Sequence, residues 1–281
     1  MNEKIFVAPS LKTEQYSDTD LSIQIAPDGL VFFAGISSTG ECKAFAMYPV
    51  HPDLNEESWM DELEKILAGN MWLKGNWKSV RVLWITNKWL AVPSAYFRPE
   101  EARNFLIYHE LFREFDEVHY YSIREPETTF VFPVPGAVSQ LLRNVFPSFR
   151  YFPSWAPVSL HFDAAKPQGL CVLLHYGFAD YYVHSGKGIS NFSRFNWQEP
   201  SDILFFLAKI SRDFSLDLVS GNLIMCGYPG LAKAADTEAL LREYFPSLNA
   251  GMPALQMDPA IKTQFHSLEI PVQLMNLQLC E

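Results

Sequence analysis

The stretch from Leu170 to Pro229 constrains the fold more than any other, because it runs strand, strand, strand, helix, strand and the first half of the chain carries the same order. An apolar run from Leu170 to His175 and a second from Ala179 to His184 are followed by tight punctuation at Ser185 to Gly188. A third run extends from Ile189 to Trp197, so a meander joined by hairpin turns is expected. Pro200, with Ser201 and Asp202 beside it, opens a helix that carries Ile203, Phe206, Leu207 and Ile210 at helical spacing. Asn222 to Cys226 reads as a buried strand, and Gly227, Tyr228 and Pro229 then break the chain.

In the first half, Leu21 to Ile25 alternates apolar and polar residues, the pattern of a strand with one buried face. Pro27, Asp28 and Gly29 form a turn, since proline fixes φ and glycine tolerates a positive one. Leu30 to Ile36 and Cys42 to Tyr48 complete a second meander, and Ile5 to Val7 in the lead-in predicts a further short strand. Asn55 or Asp53 caps a helix bearing Trp59, Leu63, Ile66 and Leu67, and Val80 to Ile85 follows as a buried strand reached by a crossover. Strands are expected at Trp89 to Val92, Val118 to Ile123 and Thr129 to Val134, with helices opening at Pro99 and at Gly136. The aromatic, proline-rich segment from Phe146 to Phe162 reads as turns approaching a boundary near Ala164 to Pro167. Two domains follow, residues 1–165 and 166–281, the second ending in a strand at Ile270 to Leu274.

A net charge of -10 and the lack of a Lys/Arg cluster argue against nucleic acid as a partner, because phosphate binding draws on clustered cations. Cys42, Cys171, Cys226 and Cys280 stand singly, without the paired spacing of structural zinc sites, and read as reduced, buried thiols. No apolar run approaches the roughly 18 residues of a spanning helix, so direct membrane insertion is not expected and a cytoplasmic protein is.

Two three-stranded meanders, each followed by helices and strands, resemble the ribonuclease H-like fold as duplicated in the actin-like ATPase superfamily. Asn191, Phe192, Phe195 and Trp197, followed by Pro200, Asp202, Phe205 and Phe206, are similar to the signature of a bacterial family of unknown function assigned to that fold. Leu90 to Pro93 and Phe130 to Val134 are similar to its first-half strand endings. The resemblance covers most of the chain from about Leu21 onward. It implies an α/β fold of two ribonuclease H-like subdomains, with mixed sheets flanked by helices. In the superfamily's ATPases, an acidic residue and glycines at the first hairpin of each half hold metal and phosphate. The residues here that such a role could fall on are Asp28 and Gly29, Gly177 and Asp180, and, on the adenosine side, Gly227. The pattern is incomplete: the second hairpin reads His175, Tyr176, Gly177, Phe178, with no carboxylate before Asp180, and Gly227 is a single glycine.

A nuclease of the ribonuclease H type needs several carboxylates around two metals, and the first strands supply none. Ser185 to Gly188 lacks the full phosphate-loop spacing. Cys171 and His175 share a strand face but stand roughly 13 Å apart by strand rise, too far to touch. No catalytic or metal-binding residue is assigned. The expectation is a non-catalytic interaction or scaffold protein that binds a protein partner or itself, with aromatics beside the junction prolines as interface candidates. The alternative is a nucleotide-binding ATPase with an atypical site, for which ATP with magnesium is the implied cofactor.

Overall fold

Strand β2 (Asp20–Ala26) is buried along its whole length, Ser22 and Gln24 included, although its sequence alternates. The reason is its position. Strand β1 (Lys4–Val7) pairs antiparallel with β4 (Glu41–Pro49), β4 with β3 (Gly29–Ile36) and β3 with β2, and β2 then pairs in parallel with β5 (Ser79–Trp84). A strand inside a sheet covered on both faces has no solvent side for its polar residues. The expectation of one buried face is therefore corrected.

The computed structural model describes residues 3–8, 11, 13–36, 39, 41–124, 127–159, 168–185, 188–219, 222–227, 233–250, 272–278 and 280. The chain forms two compact units, one made of Met1–Ala156 with Leu277–Leu279 and Glu281, and the other of Pro157–Asn276 with Cys280. The expected junction at Ala164 to Pro167 lies outside the described residues.

In the first unit, helix α1 (Glu56–Gly69) crosses from β4 to β5. Asn55 caps it by accepting a hydrogen bond from the Ser58 amide at 2.9 Å, Glu56 and Glu57 sit where the helix dipole favours anions, and Leu63 and Leu67 are buried. A small layer follows: β6 (Leu90–Pro93), α2 (Ala102–Tyr108), β7 (Asp116–Arg124) and β8 (Glu127–Pro135), with strand order β6-β8-β7. Val92, Ala102, Leu106 and Val131 make its separate core. Helix α3 (Gly136–Val145) then leads to β9 (Arg150–Pro153), which pairs in parallel with β5 and completes a six-stranded sheet ordered β1-β4-β3-β2-β5-β9.

Strand β9 corrects the reading of Phe146 to Phe162 as turns alone. Tyr151, Phe152 and Trp155 are buried, so they are not interface aromatics. Pro153 is tolerated because it ends the strand.

The second unit opens with the short helix α4 (Ala156–Ser159), whose first residue belongs to the first unit's contacts, and continues with β10 (Gly169–His175), β11 (Phe178–Ser185) and β12 (Gly188–Asn196). Ser185 pairs with Gly188, while Gly186 and Lys187 between them lie outside the described residues. Helix α5 (Pro200–Asp213) starts at a capping box, in which the Asp202 carboxylate accepts from the amides of Gln198 and Glu199 at 2.9 and 3.0 Å. It buries Ile203, Leu207 and Ile210. Strand β13 (Asn222–Cys226), helix α6 (Ala234–Tyr244) and the short β14 (Asn249–Ala250) follow, giving the order β12-β11-β10-β13-β14. Read from β4, the first sheet has the matching sequence of directions: two antiparallel pairings, then two parallel ones. Val272–Leu277 is helix α7, where a strand at Ile270 to Leu274 was expected; Ile270 and Pro271 lie outside the described residues.

Candidate functional site

The first-unit candidates sit in the β2–β3 turn. Gly29 is needed there for close approach, since a Cβ would stand 2.6 Å from the Tyr48 carbonyl oxygen. The Asp28 carbonyl accepts from the Val50 amide at 2.9 Å, which ties the turn to the end of β4. Its carboxyl Oδ1 is enclosed without a hydrogen-bond partner, and burial pushes the Asp28 pKa up to about 7. A hydrogen bond from its own backbone amide offsets only part of that burial.

The second-unit candidates are arranged differently. Gly177 makes the β10–β11 turn with φ of 75°, the left-handed region glycine favours, and it has open space where a Cβ would be. The turn is fastened from behind by Trp197, whose indole Nε1 donates to the carbonyls of His175 at 2.9 Å and Phe178 at 3.0 Å, while its amide donates to Gly177 at 3.2 Å. Gly227 follows the carboxyl end of β13, alongside the parallel strand β10 that leads into this turn. Tyr228 and Pro229 lie outside the described residues.

Asp180 is inside the sheet, 1% exposed, facing Arg194 across the β11–β12 pair. Arg194 grips it with two forks, Nε to Oδ1 at 2.5 Å and Nη2 to Oδ2 at 2.7 Å. His175, diagonal to it on β10, places Nε2 3.3 Å from Oδ2, an electrostatic contact without hydrogen-bond alignment. The Arg194 guanidinium also lies 4.5 Å from the Phe178 ring centre, and His175 packs on the same ring at 4.7 Å. The opposite sheet face holds Tyr181, Phe195 and, from α5, Phe206, with the last two rings stacked at 4.0 Å.

Charge states follow from these distances. Burial is the largest influence on Asp180 and pushes its pKa upward, but the charge and hydrogen bonds of Arg194, with the His175 ring beside it, outweigh it and hold the carboxyl well below the usual range. For His175 burial dominates and lowers the pKa, so the imidazole is neutral near pH 7. The result is a dry carboxylate with its anionic charge already matched by arginine. Such a group is poorly suited to be a magnesium ligand, which needs open oxygen positions. Among the described residues there is no group of three or more His, Cys, Asp or Glu side chains able to hold a metal ion. The residues of the second hairpin therefore do not fit an ATP-bound magnesium.

Arg194 and Trp197, the residues that decide the chemistry of this hairpin, stand within the Asn191 to Trp197 segment of the family signature. Their roles were not legible there. The usable signal was a lone arginine on an aromatic strand, whose charge needs an acidic partner where the side chain is largely buried.

Two sheets with these strand orders and helical crossovers define the actin-like ATPase fold. The chain is similar in structure to a Bacteroides thetaiotaomicron protein with actin-like ATPase fold and unknown function: TM-score 0.73, 14% identity, covering 96% of this chain and 99% of that one. It is also similar to a chain of the PilM-PilN type IV pilus biogenesis complex, with a TM-score of 0.55, 13% identity and coverage of 92% and 98%. No curated protein sequence matches it. Residues 8–248 match the family described as protein of unknown function (DUF3822), and the chain belongs to that family.

Proposed function

We infer that this chain is a non-catalytic interaction protein, a scaffold on an actin-like frame that binds another protein or a second copy of itself. The observation that carries this reading is the committed carboxylate of the second hairpin: Asp180 is buried and held by Arg194 beside His175, so its oxygens are engaged within the sheet. The matching strand orders support two copies of one ribonuclease H-like unit, kept for shape.

The surface that supports partner binding is the small layer of β6, α2, β7 and β8. Tyr96, Ile107, Tyr108, Phe115 and Tyr120 are exposed there, Tyr108 and Phe115 each at 82%. Exposed aromatics gathered on one subdomain mark interaction surfaces. The backbone beneath Phe115 is fixed, since its carbonyl accepts from the Gly136 amide at 3.0 Å, so the ring is presented from a rigid base. The similar PilM chain was solved in a complex named for PilM and PilN, which fits use of this frame for assembly.

Affinity capture from the native cell with the wild type and with a Tyr108→Ser, Phe115→Ser variant tests the reading. A specific partner, confirmed reciprocally and lost in the variant at unchanged melting temperature, is expected. Retention of every partner by the variant would contradict this surface. The nucleotide-binding alternative keeps one observation in its favour, the unpartnered Asp28 Oδ1.

A further inference from the structure

Apart from both hairpins, the first unit contains a cavity of about 300 Å³ at the amino-terminal ends of β5 and β9. It is lined by residues 75–81 and 146–150, which include Lys78, Arg81 and Arg150 and no acidic residue. In a chain of net charge -10 this is an unusual concentration of cations.

The register makes the arrangement sharper. Arg81 and Arg150 are direct partners across the parallel β5–β9 pair, so their side chains leave the sheet on the same face. Like charges directly opposite one another are destabilising. Asp20 meets this group: it is 2% exposed, accepts from Ser79 Oγ at 2.5 Å and lies 3.4 Å from Arg81 and 3.7 Å from Lys78. Arg81 also donates to Ser79 Oγ. Arg150 makes no ion pair among the described residues; it lies 5.4 Å from the Phe152 ring centre. Among the described residues, Arg81 and Lys78 thus meet Asp20 while Arg150 has no ion pair.

The walls are aromatic and rigid. Trp77 stacks on Tyr16 at 4.5 Å, its indole donates to the Leu73 carbonyl at 2.9 Å, and Phe149 meets Tyr151 edge-on at 5.2 Å. Two guanidinium forks and an ammonium beside half-buried rings match a doubly charged oxyanion attached to a planar or apolar body. The volume lies at the small end of ligand sites, roughly 300 to 1,000 Å³.

We propose that this pocket binds a phosphate-bearing small molecule, with Arg81, Arg150 and Lys78 on the phosphate and Trp77 and Phe149 against the attached body. The site lies within the first unit and stands whether or not the chain is a scaffold.

Calorimetric titration of the full chain with inorganic phosphate, phenyl phosphate and malonate, against chloride at matched ionic strength, tests it. Saturable binding is expected, tighter for phenyl phosphate than for inorganic phosphate and weakest for malonate. Arg150→Gln and Lys78→Gln each weaken it roughly tenfold to a hundredfold, as expected for loss of a charge-assisted contact. Arg150 is exposed, so R150Q folds, and without phosphate its melting temperature equals or exceeds that of the wild type. A control in the second unit, Lys209→Gln, leaves binding unchanged. Absence of saturable binding overturns the proposal, as does binding that R150Q leaves intact. Malonate binding as tightly as phosphate overturns the assignment to phosphate.

Discussion

The two hairpins that open the units, β2–β3 and β10–β11, carry a carboxylate each and treat it in opposite ways. Asp28 lies in its turn, with one oxygen enclosed and unpartnered, and burial raises its pKa to about 7. Asp180 lies deeper, within a strand, and its pKa is depressed despite complete burial. The difference is one residue on the third strand of the second meander, Arg194, at the register position facing Asp180. A buried carboxylate takes its charge state from its nearest cation more than from its depth. The fold therefore leaves one acid partly protonated near neutrality and makes the other a structural ion pair.

The largest expected effect comes from breaking that pair. Arg194→Met leaves Asp180 buried without its counter-charge and lowers stability by about 3–5 kcal/mol, measured by urea unfolding. Adding Asp180→Asn to R194M recovers much of the loss. If R194M alone is neutral, Asp180 is not held as described.

The two turn glycines sharpen the comparison. Gly29→Ala forces a Cβ against the Tyr48 carbonyl and costs about 1–3 kcal/mol. Gly177→Ala meets open space and costs about 1 kcal/mol, from backbone conformation alone. Equal costs in thermal melts would remove the distinction between a packed turn and an open one.

The pH dependence of stability has opposite signs at the two acids. For Asp180 the folded pKa is depressed, so its stabilisation is present above the unfolded value of 3.8 and is lost as pH falls through the folded one. For Asp28 the folded pKa is raised, so stability declines as pH rises from near 3.8 to about 7. Asp28→Asn removes that decline and gains on the order of 1–2 kcal/mol above pH 7. A flat difference between D28N and wild type from pH 4 to 8 would show that Asp28 is solvated.

Much of this architecture is written in local chemistry. Pro27, Asp28 and Gly29 define a turn by φ preferences alone, and Pro200 with Asp202 defines a helix start because both satisfy the needs of a first turn. What stayed hidden depends on distant partners. The four residues of β9 carry too little pattern to read as a strand, and they become one through pairing with β5. The expected strand at Ile270 to Leu274 is too short to separate from a helix by pattern, and the structure places Val272 to Leu274 in α7. Asp180 could be named from sequence as a candidate, whereas its pairing with Arg194 depends on strand register that hydrophobic pattern leaves unstated.

The central claim, that the arginine-paired carboxylate of the second hairpin leaves this frame without nucleotide chemistry, is tested most directly by titrating ATP with and without magnesium into the R150Q variant, where the cationic pocket is weakened. The account predicts no saturable, magnesium-dependent binding. Such binding, abolished by Asp28→Asn or Asp180→Asn with the fold intact, would contradict it.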